Sequence, residues 1–477
     1  MTELKDMKFA ESITTKKMIL FSLQGIIGGF LFGMWGQVQY FAVSILLIPQ
    51  ALIVIIYLAY SLIDAINDPL VGYLADKSTR FTSKYGKRYP WILIGVGIGP
   101  IFLILCFIPI STNILVNTVW LLVIMGIYET FLTSFEINHN ALFPDLIRKA
   151  SHRRKIVSIG AIMGGIFTIV TGATIPQLIV SIGYLGTVII VVIVAYILII
   201  PYSYGIREPA EMKMFRARLE EAEEKKSPLK EVIKRVFTDR NWMGVVIAVF
   251  AWSVAGACWL YGLNYFMVGN LGLDIGWTTI PLLLQNLIGF VLAPIWAYIS
   301  KKIGVRKAFI AGMVCNIIVY LAFLFVTDIL GVIIIFAFAG VGFSATYGVI
   351  TGLLRAEGID NATVTTGKRE EGTYMGVLRV FTAFSYFFQT VIFAIIGGFT
   401  GYGGIYSTGD NILAELVLNI QKFITPVSNI AKLGLNLQMS IIPMIVTLIG
   451  TIIFLFLYRI SQEDAIKNKQ KLIEMDL

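Results

Sequence analysis

The stretch IPQALIVIIYLAYSLIDAINDPLVGYLAD (48–76) decides the fold. It runs almost unbroken in apolar residues as far as Ile63, then takes in Asp64, Asn67 and Asp68. An α-helix needs about 20 mainly apolar residues to cross a bilayer. Runs of that kind recur along the 477 residues, of which 57% are hydrophobic and only 14% charged. A soluble domain would carry about 25% charged residues. The deficit implies that much of the surface faces lipid.

Twelve spans are expected, at 18–46, 48–76, 91–111, 116–146, 155–180, 184–206, 241–268, 276–300, 306–327, 330–356, 373–400 and 438–460. The basic residues orient them. Of 38 Lys and Arg, 35 fall in the tails and in alternate loops. Positive charge stays on the cytoplasmic side, so both termini are expected inside. The net charge of +9 is therefore a topology signal, and no nucleic-acid partner is implied. The first 17 residues are polar and offer no apolar core for a cleavable leader. Cys106, Cys258 and Cys315 all lie in apolar runs without metal-ligand spacing and read as packing residues.

The longest polar loop divides the spans six and six. The expected organisation is a first half over 1–206, a linker over 207–240 and a second half over 241–477. In the linker, Ser227-Pro228 reads as an N-cap followed by Pro at the first helical position, so a surface helix is expected near 228–237. The halves look related: PLVGYLADK (69–77) and PIWAYISKK (294–302) share Pro, Tyr and Lys at one offset. Such duplication fits the major facilitator architecture, an all-α membrane fold.

Ionisable groups inside spans are costly and mark function. Asp64, Asn67 and Asp68 stand at helical spacing on one face. Two carboxylates so close repel when both are ionised; either one stays protonated or a cation lies between them. Asn67 adds a carbonyl oxygen, and oxygen ligands suit hard cations such as Na⁺. On span four, Glu136 and Thr133 offer oxygens to the same cage. Glu129 lies two turns from Glu136 on the same face, as a substrate-binding acid or a partner for Arg379. His139 reads better as a satisfied hydrogen-bonder than as a proton relay. Arg379 is the one basic residue inside a span, placed to neutralise an acid or hold an anionic group. Trp35, Tyr128 and other cavity aromatics offer faces to a sugar ring.

Two motifs carry a family resemblance. DAINDPLVGYLADKSTRFTSKYGKRYPWIL (64–93) is similar to the acidic span-two motif, basic loop and PW of the glycoside–pentoside–hexuronide:cation symporters, the melibiose permease-like family of the major facilitator superfamily. TGKREEGTYMGV (366–377) resembles that family's R-x-E-G signature entering span eleven. The resemblance covers nearly the whole chain. It implies a cation site of Asp64, Asn67, Asp68, Thr133 and Glu136, with Glu in place of the span-four Asp. The galactoside-binding positions depart: Gly28, Asn140, Ala161 and Ala383 stand where other residues are expected, and Arg379 lies one turn from Ala383.

The expected function is symport of a small organic solute, such as a sugar, glycoside or uronide, driven by Na⁺ or H⁺. Substrate-cavity candidates are Glu129, Asn140, Arg379, Trp35 and Tyr128. A cytoplasmic gate is expected from Lys87, Arg88, Arg369 and Glu371. No cofactor beyond the coupling ion, no enzymatic constellation and a monomer in the cell membrane are expected. The alternatives are an amphiphile carrier, with a lysophospholipid as cargo, and a non-transporting receptor or scaffold of the same fold.

Overall fold

Apolar runs become helices because lipid offers no partner to a backbone N–H or C=O, and the helix satisfies both internally. The computed structural model describes residues 13–77, 85–147, 150–209, 229–367, 371–400 and 429–474. Among these, every regular element is helical. In chain order they are α1 (Thr15–Ser22), α2 (Gln24–Trp35), α3 (Val38–Ser44), α4 (Gln50–Lys77), α5 (Tyr89–Leu105), α6 (Ile114–Leu146) and α7 (Ala150–Gly205). There follow α8 (Leu229–Thr238), α9 (Arg240–Tyr265), α10 (Thr279–Ile303), α11 (Val305–Phe323), α12 (Ile329–Thr346) and α13 (Val349–Thr366). The last are α14 (Glu371–Ala383), α15 (Ser385–Thr400), α16 (Asn429–Met439), α17 (Ile441–Leu457) and α18 (Gln462–Glu474).

Among the described residues, ten stretches are long and apolar enough to cross a membrane. One of them, Ser158–Gly205, is 48 residues long and holds two spans. Its break is Gly183, whose φ of +75° leaves the helical region where a side chain would be strained. With the shorter apolar helix Tyr89–Leu105, the set is in keeping with twelve spans. The protein is thus a multi-pass membrane protein. Large apolar side chains such as Ile66, Ile197, Ile200, Phe338 and Phe456 lie exposed on the helices, as lipid contact requires.

Polar side chains cap several of the helix starts. Asn113 Oδ1 accepts from the N–H groups of Leu115 and Val116 at the head of α6, and Asp239 and Asp328 do the same for α9 and α12. Some spans are more broken than expected. The first comprises three pieces, α1 to α3. The last begins earlier than 438, with α16, and breaks at Ser440, whose hydroxyl donates to the Asn436 carbonyl at 2.7 Å. Helix α8 covers Leu229–Thr238, beside the expected 228–237; Ser227 and Pro228 lie outside the described residues.

The chain groups into two compact units, Met1–Phe41 with Ala59–Lys225, and Ala42–Leu58 with Lys226–Leu477. In the first, α5 packs along α6, and α1 and α2 pack along α7. In the second, α9 packs along α17 and α10 along α12. Among the described residues, the second unit has two buried apolar clusters, one around Trp242, Phe454 and Tyr458 and one around Trp259, which stacks on Phe336 at 4.4 Å and donates its indole N–H to Gln285 Oε1 at 2.9 Å.

Candidate functional site

The acidic residues of span two meet span four inside the first unit. Gly126 on α6 marks the contact: a Cβ there would stand 2.8 Å from Ile63 Cδ1. Lacking one, α6 lets α4 in at the residue next to Asp64. Tyr60, Asp64, Asn67 and Asp68 then follow one another along one face of α4.

The centre of the cluster is Glu129, buried to 4% exposure. The Tyr60 hydroxyl donates to its Oε2 at 2.5 Å. The Thr133 hydroxyl donates to its Oε1 at 3.2 Å. The Asp64 side chain is hydrogen-bonded to the same carboxyl. Two carboxyls this close repel when both are ionised, so their contact is a place for a cation or a proton between them. Below it, Asn67 Nδ2 donates to Thr130 Oγ1 at 2.9 Å, and Thr130 in turn donates to the Gly126 carbonyl at 2.9 Å. Glu136 is close enough to act electrostatically on Glu129 and on Tyr128. Asp64, Asp68 and Glu136 are half-buried.

An aromatic wall backs the acids. The Trp35 ring lies 5.0 Å from Tyr128, stacked, and 5.1 Å from Tyr60. Trp35 and Tyr128 are buried and packed on each other. Helices α2, α4 and α6 are thereby joined at the level of Glu129. On α6, nearer the basic loop, His139 Nδ1 is 2.8 Å from the Tyr202 hydroxyl and packs on Phe21, the arrangement of a satisfied hydrogen-bonder.

The remaining candidates are dispersed. Arg88 is tied within its own unit: its side chain donates to Asn138 Oδ1 at 3.1 Å, and its backbone N–H donates to Glu208 Oε1 at 2.7 Å. Lys87 is half-buried and Asn140 exposed. In the second unit, Glu371 is the exposed first residue of α14, and Arg379 is half-buried on the same helix. Arg369 falls outside the described residues. No group of three or more His, Cys, Asp and Glu side chains suited to a metal ion occurs among the described residues. The donors gathered here are instead mixed: carboxyl, hydroxyl and amide oxygens, all hard, with two acids in direct contact.

Three placements differ in emphasis from the sequence reading. Glu129, expected to serve substrate or a basic partner, lies at the centre of the cluster and takes the Thr133 hydroxyl. Tyr60 and Thr130 belong to it and carry no charge that would have singled them out. The signal for Tyr60 was its spacing, one turn before Asp64.

Comparison with known proteins places the fold. The profile of the MFS/sugar transport protein family matches residues 29–462. A lactose permease of Leuconostoc lactis is 23% identical over 396 residues, covering 79% of this chain and 59% of that protein. The chain thus spans little more than half the length of that relative. A sodium-dependent lysophosphatidylcholine symporter 1 of Xenopus tropicalis is 28% identical over 116 residues, 24% of this chain and 22% of that protein. Among solved structures, the nucleoside transporter NupG superposes with a TM-score of 0.59 at 12% identity, covering 94% of this chain and all of that one. The fold is therefore that of the major facilitator transporters.

Proposed function

This chain belongs to the MFS/sugar transport protein family, and we propose that it is a cation-coupled symporter of a sugar-like solute, working by alternating access. The observation that carries the reading is the hydrogen-bonded contact of Asp64 with Glu129, held by Tyr60 and Thr133. Each acid at mid-membrane costs about 2.5–3.5 kcal/mol on insertion scales. A protein that only anchors or senses gains nothing from two of them in contact. A symporter does, because a bound cation or proton neutralises the pair and favours one conformation over another.

In this reading Asp64, Asn67, Asp68, Thr133 and Glu136 supply the oxygens for Na⁺ or H⁺, and Glu129 couples them to the wall of Trp35 and Tyr128. Arg379 and Asn140 serve the solute, with Arg379 suited to an anionic group such as a uronide. Lys87, Arg88, Arg369 and Glu371 serve the cytoplasmic gate. The protein acts as a monomer in the cell membrane with both termini cytoplasmic. The lactose permease relative supports a sugar as cargo. The shorter match to a lysophosphatidylcholine symporter supports an amphiphile as the second reading.

The test is uptake into proteoliposomes. Lactose, a glucuronide and a lysophosphatidylcholine are offered with an imposed inward Na⁺ gradient, an inward H⁺ gradient or none. Accumulation of one solute that rises with one gradient is the expected result. Indifference of all three solutes to both gradients refutes symport.

A further inference from the structure

The second unit holds a buried polar pair that no part of the cation site uses. Gln389 on α15 is wholly buried, and neither its Nε2 nor its Oε1 has a hydrogen-bond partner. Tyr261 on α9 is 3% exposed, and its hydroxyl likewise has none. Two ring contacts bring these helices together. Tyr261 meets Tyr386 edge to face at 5.8 Å, and Tyr265 meets Phe393 at 5.9 Å. Gln389 lies three residues after Tyr386 and four before Phe393, so it shares their face of α15. Its amide is therefore turned to α9, at the level of Tyr261 and Tyr265.

The neighbouring polar residues of α15 settle their needs locally. Ser385 donates to the Thr382 carbonyl, Thr390 to Phe387 and Thr400 to Ile396. Such back-bonding to the preceding turn is how hydroxyls survive in lipid. A glutamine amide has two donors and one acceptor, and a phenol has one donor. Left unmet in a membrane interior, these groups cost stability and are kept where they serve a ligand.

We propose that Gln389 and Tyr261 form a solute subsite in the second unit, recognising the hydroxyls of a neutral sugar ring, with the rings of Tyr386 and Tyr265 against its apolar face. The assignment rests on the sugar-symport reading above and adds to it where the solute is held. Amide and phenol match a neutral polyol: both give and accept hydrogen bonds and neither brings charge. The pair is closed from solvent in this conformation, as an occluded subsite is between openings.

The experiment uses the purified full chain in detergent, with lactose and methyl β-glucoside as probes. Thermal stability and equilibrium binding are measured for the wild type, Gln389→Leu and Tyr261→Phe, with and without Na⁺. Gln389→Leu keeps the volume and removes the amide. Its sugar affinity is expected to fall about tenfold or more. Its sugar-free melting temperature should equal or exceed the wild type's, since an unmet buried amide becomes apolar. Any Na⁺-induced shift should persist, because that site lies on α4 and α6. Tyr261→Phe keeps the ring against Tyr386 and should weaken sugar binding by a few fold. Unchanged sugar affinity in both variants overturns the proposal. So does a lower sugar-free melting temperature with affinity retained, which marks the amide as structural. A wild type that responds to neither sugar refutes the sugar reading itself, and this inference falls with it.

Discussion

Replacing Tyr60 with Phe removes one oxygen from the acidic cluster and leaves nearly everything else in place. The ring keeps its packing on Trp35 at 5.1 Å. What is lost is the hydroxyl that donates to Glu129 Oε2 at 2.5 Å. A hydrogen bond to a charged group contributes about 1.5–3 kcal/mol net. At 1.4 kcal/mol per decade, that is roughly a 10- to 150-fold change in an equilibrium constant. The hydroxyl orients Glu129 against Asp64, so its loss frees the carboxyl to turn away from its partner. The expected outcome is a rise of about tenfold or more in the half-saturating concentration of the coupling cation. Uptake at saturating cation should persist, because the solute's own contacts are untouched. The assay is a titration of solute uptake in proteoliposomes against external Na⁺ and, separately, against external pH. Cation-dependent thermal shift of the purified protein gives the same constant without transport. If Tyr60→Phe folds as the wild type does and both titrations superpose on it, the hydroxyl does not organise the site, and Glu129 loses its place at the centre of the reasoning.

Three further outcomes are expected. Asp68→Asn removes a charge from the acidic face of α4 and should abolish the gradient dependence of uptake while leaving expression and folding intact, as read by size-exclusion profile and uptake with and without a gradient. Gly86→Ala should destabilise the first unit by about 1–2 kcal/mol from backbone strain alone. Gly86 has φ +103°, and an added Cβ would meet Glu208 Cδ at 2.5 Å and push that carboxylate off the N–H groups of Arg88 and Tyr89, so a lowered melting temperature is the readout. The tail helix α18 should loosen in acid. The Ser461 hydroxyl and backbone N–H bond Asp464 and hold its carboxyl below the usual range. A folded-state value below the unfolded one means that this support is full above the unfolded value near pH 4 and fades as pH falls through the lowered one. A spin label on α18 should gain mobility over that window in the wild type, and Asp464→Asn should show the looser state already at neutral pH.

The sequence by itself determined the class of the protein. Hydropathy sets which segments become helices in lipid, and the helices follow those segments closely, down to the break at Gly183. Helical periodicity alone places Asp64, Asn67 and Asp68 on one face, because residues three and four apart must share it. The interruptions were less legible. The break at Ser440 depends on a side chain that bonds to its own helix, and no periodicity encodes that choice.

Only the tertiary structure decided which acid of span four meets span two. Glu129 and Glu136 share a face of α6 and differ by two turns of depth, so either satisfies the sequence pattern. Depth is set where α4 and α6 touch, and Ile63 Cδ1 lies close over Gly126 at that contact. The contact brings Asp64 to Glu129, lets the Tyr60 hydroxyl reach the same carboxyl, and gives Asn67 to Thr130. Spacing along one helix fixes its own face, whereas the partner across the interface follows from how closely and at what level two helices pack.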